Sequence, residues 1–299
     1  MEEKTMLEIK NVFKKLGKNR VLKNLSLNIN HGEIFGLVGV NGAGKSTLLR
    51  AIAGVYELDR GEILFNGQNT WNNETIRKQI LYISDDPYYS KTTTIESMRA
   101  YYETFYDFDE VAYYKYLNMF HLDPNVPIEN FSKGMKRQAY LVFALAIKPK
   151  LLLLDEAFDG LDPLVRYYFR KALVDLITEN EITVIISSHN LKELEDICDS
   201  FGILENGQIK TSGDLKASKD KVNKYQLVFE EEKDIDIFKD LDIMYASASA
   251  RVIILVIRGE QEEVLEQLQT YQPLVVDVLP VDFEEMFIYE IESRGALNE

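Results

Sequence analysis

The 299-residue chain is 46% hydrophobic and 28% charged, with a net charge of −15, which excludes disordered, collagen-like and disulfide-stapled proteins and leaves room for one large domain or two modest ones. Its longest apolar runs, 140–147 and 252–257, are far shorter than the roughly 18 residues of a spanning helix; the N-terminus MEEKTMLEIK lacks an apolar signal core and the one cysteine, Cys198, has no disulfide partner in the chain, so a soluble protein of a reducing compartment is expected. Residues 225–299 carry 18 of the 49 acidic side chains against 5 basic ones, a local net charge of −13, which keeps a domain soluble and argues against nonspecific nucleic-acid binding, since phosphates require local positive charge.

Short strands and helices alternate from residue 5 to about 215. Segments 7–10 and 25–29 alternate in strand fashion and predict an antiparallel start. The runs 34–38, 151–154 and 183–187 are apolar on both faces, which suits a largely parallel sheet covered by helices. Residues 88–120 hold 11 of the 32 Phe and Tyr residues at helix-like spacing, so this stretch reads as a separate helical insertion. Tyr101, Phe105, Tyr113 and Tyr116 either pack its core or face a partner, because so many hydroxyls are hard to satisfy in a small subdomain. After Gly213 the polar stretch DLKASKDKVNK reads as a linker. Beyond it the pattern predicts strand 225–230, helix 234–240, strands 243–248 and 252–258, helix 260–270, strand 274–279 and helix 282–291, a small α+β unit. His31 and His121 read as surface residues and Cys198 as packed on a helix.

The strongest chemical signal is Gly39-Val40-Asn41-Gly42-Ala43-Gly44-Lys45-Ser46-Thr47, a G-x-x-x-x-G-K-[ST] match that follows the apolar strand 34–38 and opens a helix over 47–53. Glycines let the backbone wrap a phosphate, and the helix N-terminus adds about half a positive charge. Lys45 then reaches the β and γ phosphates, and Ser46 can ligate Mg²⁺. A second signal is Leu151-Leu-Leu-Leu-Asp155-Glu156, an apolar strand delivering two carboxylates at the end where open α/β sheets bind ligands. Asp155 suits Mg²⁺, directly or through water, and Glu156 suits the proton or orientation of the attacking water.

With these in place the chain resembles the nucleotide-binding subunit of an ABC transporter. Phe131-Ser132-Lys133-Gly134-Met135-Lys136-Arg137-Gln138 resembles the family signature, Asp159-Gly160-Leu161-Asp162-Pro163 the D-loop, and Ser187-Ser188-His189 the switch histidine, in the family's order. The resemblance implies an α/β P-loop NTPase fold with an antiparallel β subdomain and a helical insertion, over residues 1–218 with the insertion at about 86–148, followed by an acidic α+β accessory or dimerisation domain at 219–299. It further implies a head-to-tail dimer, homo- or heteromeric, in which Ser132 and Gly134 of one subunit close on the ATP held by Gly42, Lys45 and Ser46 of the other, with Glu156 and His189 in catalytic roles.

The K-G-M form of the signature and the acidic extension resemble the ABC-2 exporters that expel peptides or drugs. The expected protein is therefore an ATPase at the cytoplasmic face of the membrane, held there by a separate membrane-spanning partner that docks on the helical insertion. The alternative is a soluble ABC ATPase acting on a ribosomal or nucleic-acid assembly. Two positions depart from the family pattern. Leu16 stands where a base-stacking aromatic is usual, with Phe13 nearby, and Asp85 stands where a Gln is usual. Asp85 either joins the metal site, holding Mg²⁺ or its water, or caps a turn.

Overall fold

The computed structural model describes residues 5–293 and divides into two compact units that part between Ser212 and Gly213. The first opens on two 12-residue strands, β1 (Thr5–Leu16) and β2 (Asn19–Asn30), longer than the sequence periodicity suggests. They pair antiparallel, with β4 (Arg60–Phe65) and the short β5 (Gln68–Asn69) completing the order β2-β1-β4-β5. Irregular pairing between Ile9 and Val12 bends β1. Gly61 (φ +85) is required opposite that bend, because a Cβ there would lie 2.4 Å from the Asn11 carbonyl.

The second sheet is built from β3 (Ile34–Val38), β6 (Ile80–Ile83), β7 (Leu151–Asp155), β8 (Thr183–Ser188), β9 (Ser200–Glu205) and β10 (Gln208–Asp214), in the order β10-β9-β3-β8-β7-β6. From β9 through β6 the strands pair parallel. All five residues of β3 and of β7 are buried, so their uninterrupted apolar runs serve both faces. Because the parallel strands end on one edge, the loops after β3, β6, β7 and β8 meet there.

Around this sheet lie α1 (Lys45–Ile52), the short α2 (Glu74–Arg77), α6 (Pro163–Asn180) and α7 (Leu191–Glu195). The insertion comprises α3 (Ile95–Tyr102), α4 (Glu110–Met119), a 3₁₀ turn and α5 (Lys133–Ile147). Side chains cap α2 through α7, for example Asp109 on the Ala112 N–H and Asp162 on Leu164 and Val165. The insertion's core is aromatic: Tyr102 and Tyr113 pack their rings against Phe143 of α5. Tyr113 and Tyr116 are buried as core residues, whereas Tyr101 and Phe105 are 64% and 47% exposed and belong to the surface. Cys198 is buried, but it lies just beyond α7 rather than on a helix, against Gly36. Burial pushes its thiol far above the ordinary range.

The second unit holds α8 (Leu215–Asp220), β11 (Val222–Val228), β12 (Ile243–Ser249), β13 (Val252–Arg258), α9 (Gln261–Gln269), β14 (Val275–Leu279) and α10 (Phe283–Ser293). Its antiparallel sheet has the order β12-β13-β11-β14, with Tyr225, Leu227, Phe238, Ile253, Leu255 and Leu268 among its core residues. Two readings are corrected. The stretch read as a linker forms α8, because Asp214 accepts from the Ala217 N–H and nucleates a turn. The helix expected at 234–240 is a 3₁₀ turn, Ile235–Phe238, just long enough to bury Phe238.

Candidate active site

The loop after β3 turns through Gly42 (φ +84) and Gly44 (φ +113), backbone conformations that side chains resist. A Cβ on Gly42 would meet nothing within 4 Å, so the loop's concavity is open on that side. A Cβ on Gly39 would lie 2.4 Å from the Leu204 carbonyl, so only glycine lets the loop leave β3 beside β9. Asn41 and Gly42 are exposed, Ala43 and Thr47 buried, and Ser46 half-buried in the first turn of α1. Unlike α2 through α8, α1 has no side-chain cap, and its first turn holds no acidic residue. Its N-terminal N–H groups and helix dipole are therefore left for an anion.

Lys45 is 5% exposed and its ammonium donates to the Gly39 carbonyl at 2.6 Å and lies 3.1 Å from Glu156 Oε1. A buried cation held by its own loop and one carboxylate fits a phosphate-binding lysine. Glu156 Oε2 sits 2.9 Å from His189 Nδ1, so one carboxylate bridges the lysine and the histidine. Glu156 follows β7 at φ +50, a conformation uncommon for a non-glycine residue. The Ser187 carbonyl and hydroxyl, both 3.1 Å from the Glu156 N–H, fix it there.

Asp155 is 1% exposed, and each of its oxygens has a partner. Ser187 donates to Oδ1 at 2.6 Å and Tyr82 donates to Oδ2 at 3.1 Å. The two donors stand on β8 and β6, flanking β7, so the sheet order itself clamps the carboxylate. Burial and the Asp155 charge push the Tyr82 hydroxyl well above the ordinary tyrosine range, keeping it a donor. The Asp155 carboxylate and the Ser46 hydroxyl offer hard oxygen atoms of the kind Mg²⁺ takes. Tyr82 was not among the expected site residues; its signal was a lone phenol in the apolar strand 80–83, paired with Leu153 two residues before the acidic end of β7.

Asp85 has a different neighbour from the one expected of a metal ligand. Its carboxylate pairs with the guanidinium of Arg137, one turn into α5, so its charge is met by an arginine. Ser132 caps α5 by accepting from the Met135 N–H, and Gly134 approaches the Gly160 carbonyl so closely that a Cβ would lie 3.0 Å from it. Lys133 reaches Asp159 at 2.6 Å and holds its carboxyl below the ordinary range. Within one chain the signature loop is thus packed on the 159–160 turn. Leu16, 39% exposed at the end of β1, offers no ring for a base.

The sequence profile of the ABC transporter family matches residues 22–159. The chain is 32% identical over 290 residues to the ABC transporter ATP-binding protein YtrB of Bacillus subtilis, spanning 97% of this chain and 99% of that one. It is 34% identical over 207 residues to the lantibiotic transport ATP-binding protein SrtF of Streptococcus pyogenes, covering 68% of this chain and 89% of SrtF. It is also 33% identical over 223 residues to the methionine import ATP-binding protein MetN of Clostridioides difficile, covering 71% of this chain and 69% of MetN. Among solved structures, an ATP-binding subunit of an ABC transporter superposes with a TM-score of 0.66 at 33% identity, over 72% of this chain and 92% of that chain. Among the described residues no helix is long and apolar enough to cross a membrane, as befits a family whose ATPase subunits dimerise and work with membrane-spanning partners. From the phosphate loop, the paired acids and these relatives together, the chain belongs to the ABC transporter ATP-binding proteins, which bind and hydrolyse ATP to power transport.

Proposed function

We propose that this chain powers an exporter of the ABC-2 type that moves peptides or drugs out of the cell, working at the cytoplasmic face of the membrane through a separate spanning subunit. The K-G-M form of the signature and the likeness to a lantibiotic transport ATPase support the peptide cargo. The observation that carries the catalytic part is the Lys45–Glu156–His189 contact set beside Asp155. In this reading the 39–47 loop and α1 hold the phosphates of ATP, and Ser46 and Asp155 hold Mg²⁺, which supplies charge neutralisation at the phosphates. Glu156 accepts the proton of the attacking water, and His189 holds Glu156 in place. Ser132 and Gly134 serve the nucleotide of the other subunit, and the second unit stabilises that head-to-tail pair.

The spanning partner docks on the helical insertion. Tyr140, 5% exposed, has a hydroxyl with no hydrogen-bond partner among the described residues, and it faces a cavity of about 330 Å³ that Tyr89, Asp86 and Lys136 also line. A buried hydroxyl of this kind suits an incoming acceptor. The test is to reconstitute the chain with a multi-spanning subunit that co-purifies with it and follow ATP-driven movement of a cationic amphipathic peptide in inside-out vesicles. Accumulation inside the vesicles is expected with wild type and is abolished by Glu156→Gln, which should lower hydrolysis about 10²- to 10⁴-fold while ATP still binds. Hydrolysis by Glu156→Gln within about threefold of wild type would overturn the base. Peptide movement out of the vesicles would overturn export.

A further inference from the structure

Arg137 stands out because its guanidinium is almost wholly buried, its side chain 6% exposed, yet it lies outside the phosphate site. Its three nitrogens are spent on two other segments, the loop after β7 and the loop after β6. Nε donates to the Asp159 carbonyl at 3.0 Å, Nη1 to the Asp155 carbonyl at 3.2 Å, and Nη2 to the Asp85 carboxylate. The two carbonyls bracket Glu156, the residue whose backbone is held at φ +50. The arginine itself rises from α5, whose N-cap is Ser132. One side chain thus joins the signature helix, the loop that carries Glu156 and the loop after β6.

A buried guanidinium requires an anion, since desolvation of an unmatched charge is costly. Asp85 supplies it at close range, and the Asp159 carboxylate, 4.0 Å away, is already engaged by Lys133. A glutamine at position 85 offers an acceptor but no charge. The acid at this position is therefore matched to the arginine at 137, and its chemistry does not call for a metal.

We propose that Arg137 is a positioning residue for Glu156, held in place by Asp85, so that the placing of the general base depends on the seating of the signature helix. This rests on the reading of Glu156 as the base. Asp85 acts through Arg137 and touches neither nucleotide nor Mg²⁺.

The test is a double-mutant cycle on the full-length chain with Asp85→Gln, Arg137→Gln and the pair combined, measuring kcat, KM for ATP and the Mg²⁺ concentration for half-maximal rate. Each single change is expected to lower kcat about tenfold with KM and Mg²⁺ dependence within about twofold of wild type. The combined variant should also lose about tenfold rather than the hundredfold of independent sites, because a glutamine at 137 leaves no cation to pair. Asp85→Glu should restore most of the rate, and Glu179→Gln, an exposed position on α6, should leave it unchanged. Additive losses, or an Mg²⁺ requirement raised about threefold or more by Asp85→Gln alone, would overturn the proposal; the latter returns Asp85 to the metal site. Should Arg137→Gln fail to fold, the Mg²⁺ dependence of Asp85→Gln and the recovery in Asp85→Glu still decide. Glu156→Gln run in parallel separates the readings: wild-type hydrolysis there removes the base itself, whereas additivity in the cycle removes only the clamp.

Discussion

Replacing Tyr82 by Phe keeps the ring, which packs against the sheet core, and removes one hydroxyl. That hydroxyl donates to Asp155 Oδ2 at 3.1 Å, and the carboxylate it serves is 1% exposed, so water cannot readily take its place. Hydrogen bonds to charged groups contribute about 1.5–3 kcal/mol, and the loss in the nucleotide-free protein should fall near the middle of that range because Ser187 still holds Oδ1 at 2.6 Å. For a unit of about 200 residues a loss of 2 kcal/mol lowers Tm by roughly 4–8 °C. With Asp155 assigned to Mg²⁺, the freed carboxylate also loses its orientation, and the Mg²⁺ concentration for half-maximal hydrolysis should rise about tenfold. Thermal unfolding without nucleotide and a Mg²⁺ titration of the ATPase rate check both. A Tm within about 1 °C of wild type together with an unmoved Mg²⁺ midpoint would refute the argument that Tyr82 restrains this carboxylate.

Gly39→Ala places a Cβ 2.4 Å from the Leu204 carbonyl, a backbone atom that cannot swing aside; the fold should lose about 1–3 kcal/mol and ATP binding, read with a fluorescent nucleotide, should weaken. Asp109→Ala removes the cap on the Ala112 N–H and should cost about 1 kcal/mol at neutral pH by urea unfolding. The Lys148 ammonium and that N–H hold the Asp109 carboxyl below its ordinary range, so its contribution is present above that range and lost as pH falls through the lowered value. The gap between variant and wild type should therefore close in acid, and a gap that widens contradicts the assignment. Truncation after Ser212 removes the second unit and should weaken self-association by light scattering. In the full chain, association should tighten as salt screens the acidic residues 225–299, and a truncated protein that dimerises like full length at every concentration would leave the second unit no such role.

The local chemistry of this protein was written in the sequence. An apolar run ending in Gly39 and a lysine six residues on, or four leucines ending in Asp155-Glu156, specify a strand and a loop, because the spacing that makes the backbone geometry also places the charges. Most elements of the second unit were legible for the same reason, since alternating and helical periodicities are short-range signals, but α8 lay in a stretch read as a linker and the helix expected at 234–240 is a 3₁₀ turn. What joins residues far apart in the chain was decided only by the tertiary structure. The partnership of Tyr82 with Asp155 depends on β6 and β7 being neighbours, and that of Asp85 with Arg137 on α5 crossing the end of the sheet, over separations of 73 and 52 residues. The split of the insertion's aromatics into buried Tyr113 and Tyr116 and exposed Tyr101 and Phe105 likewise follows from which helix faces meet α5. Periodicity marks a residue as apolar or charged, and its partner is set by the strand order and helix packing that bring distant segments together.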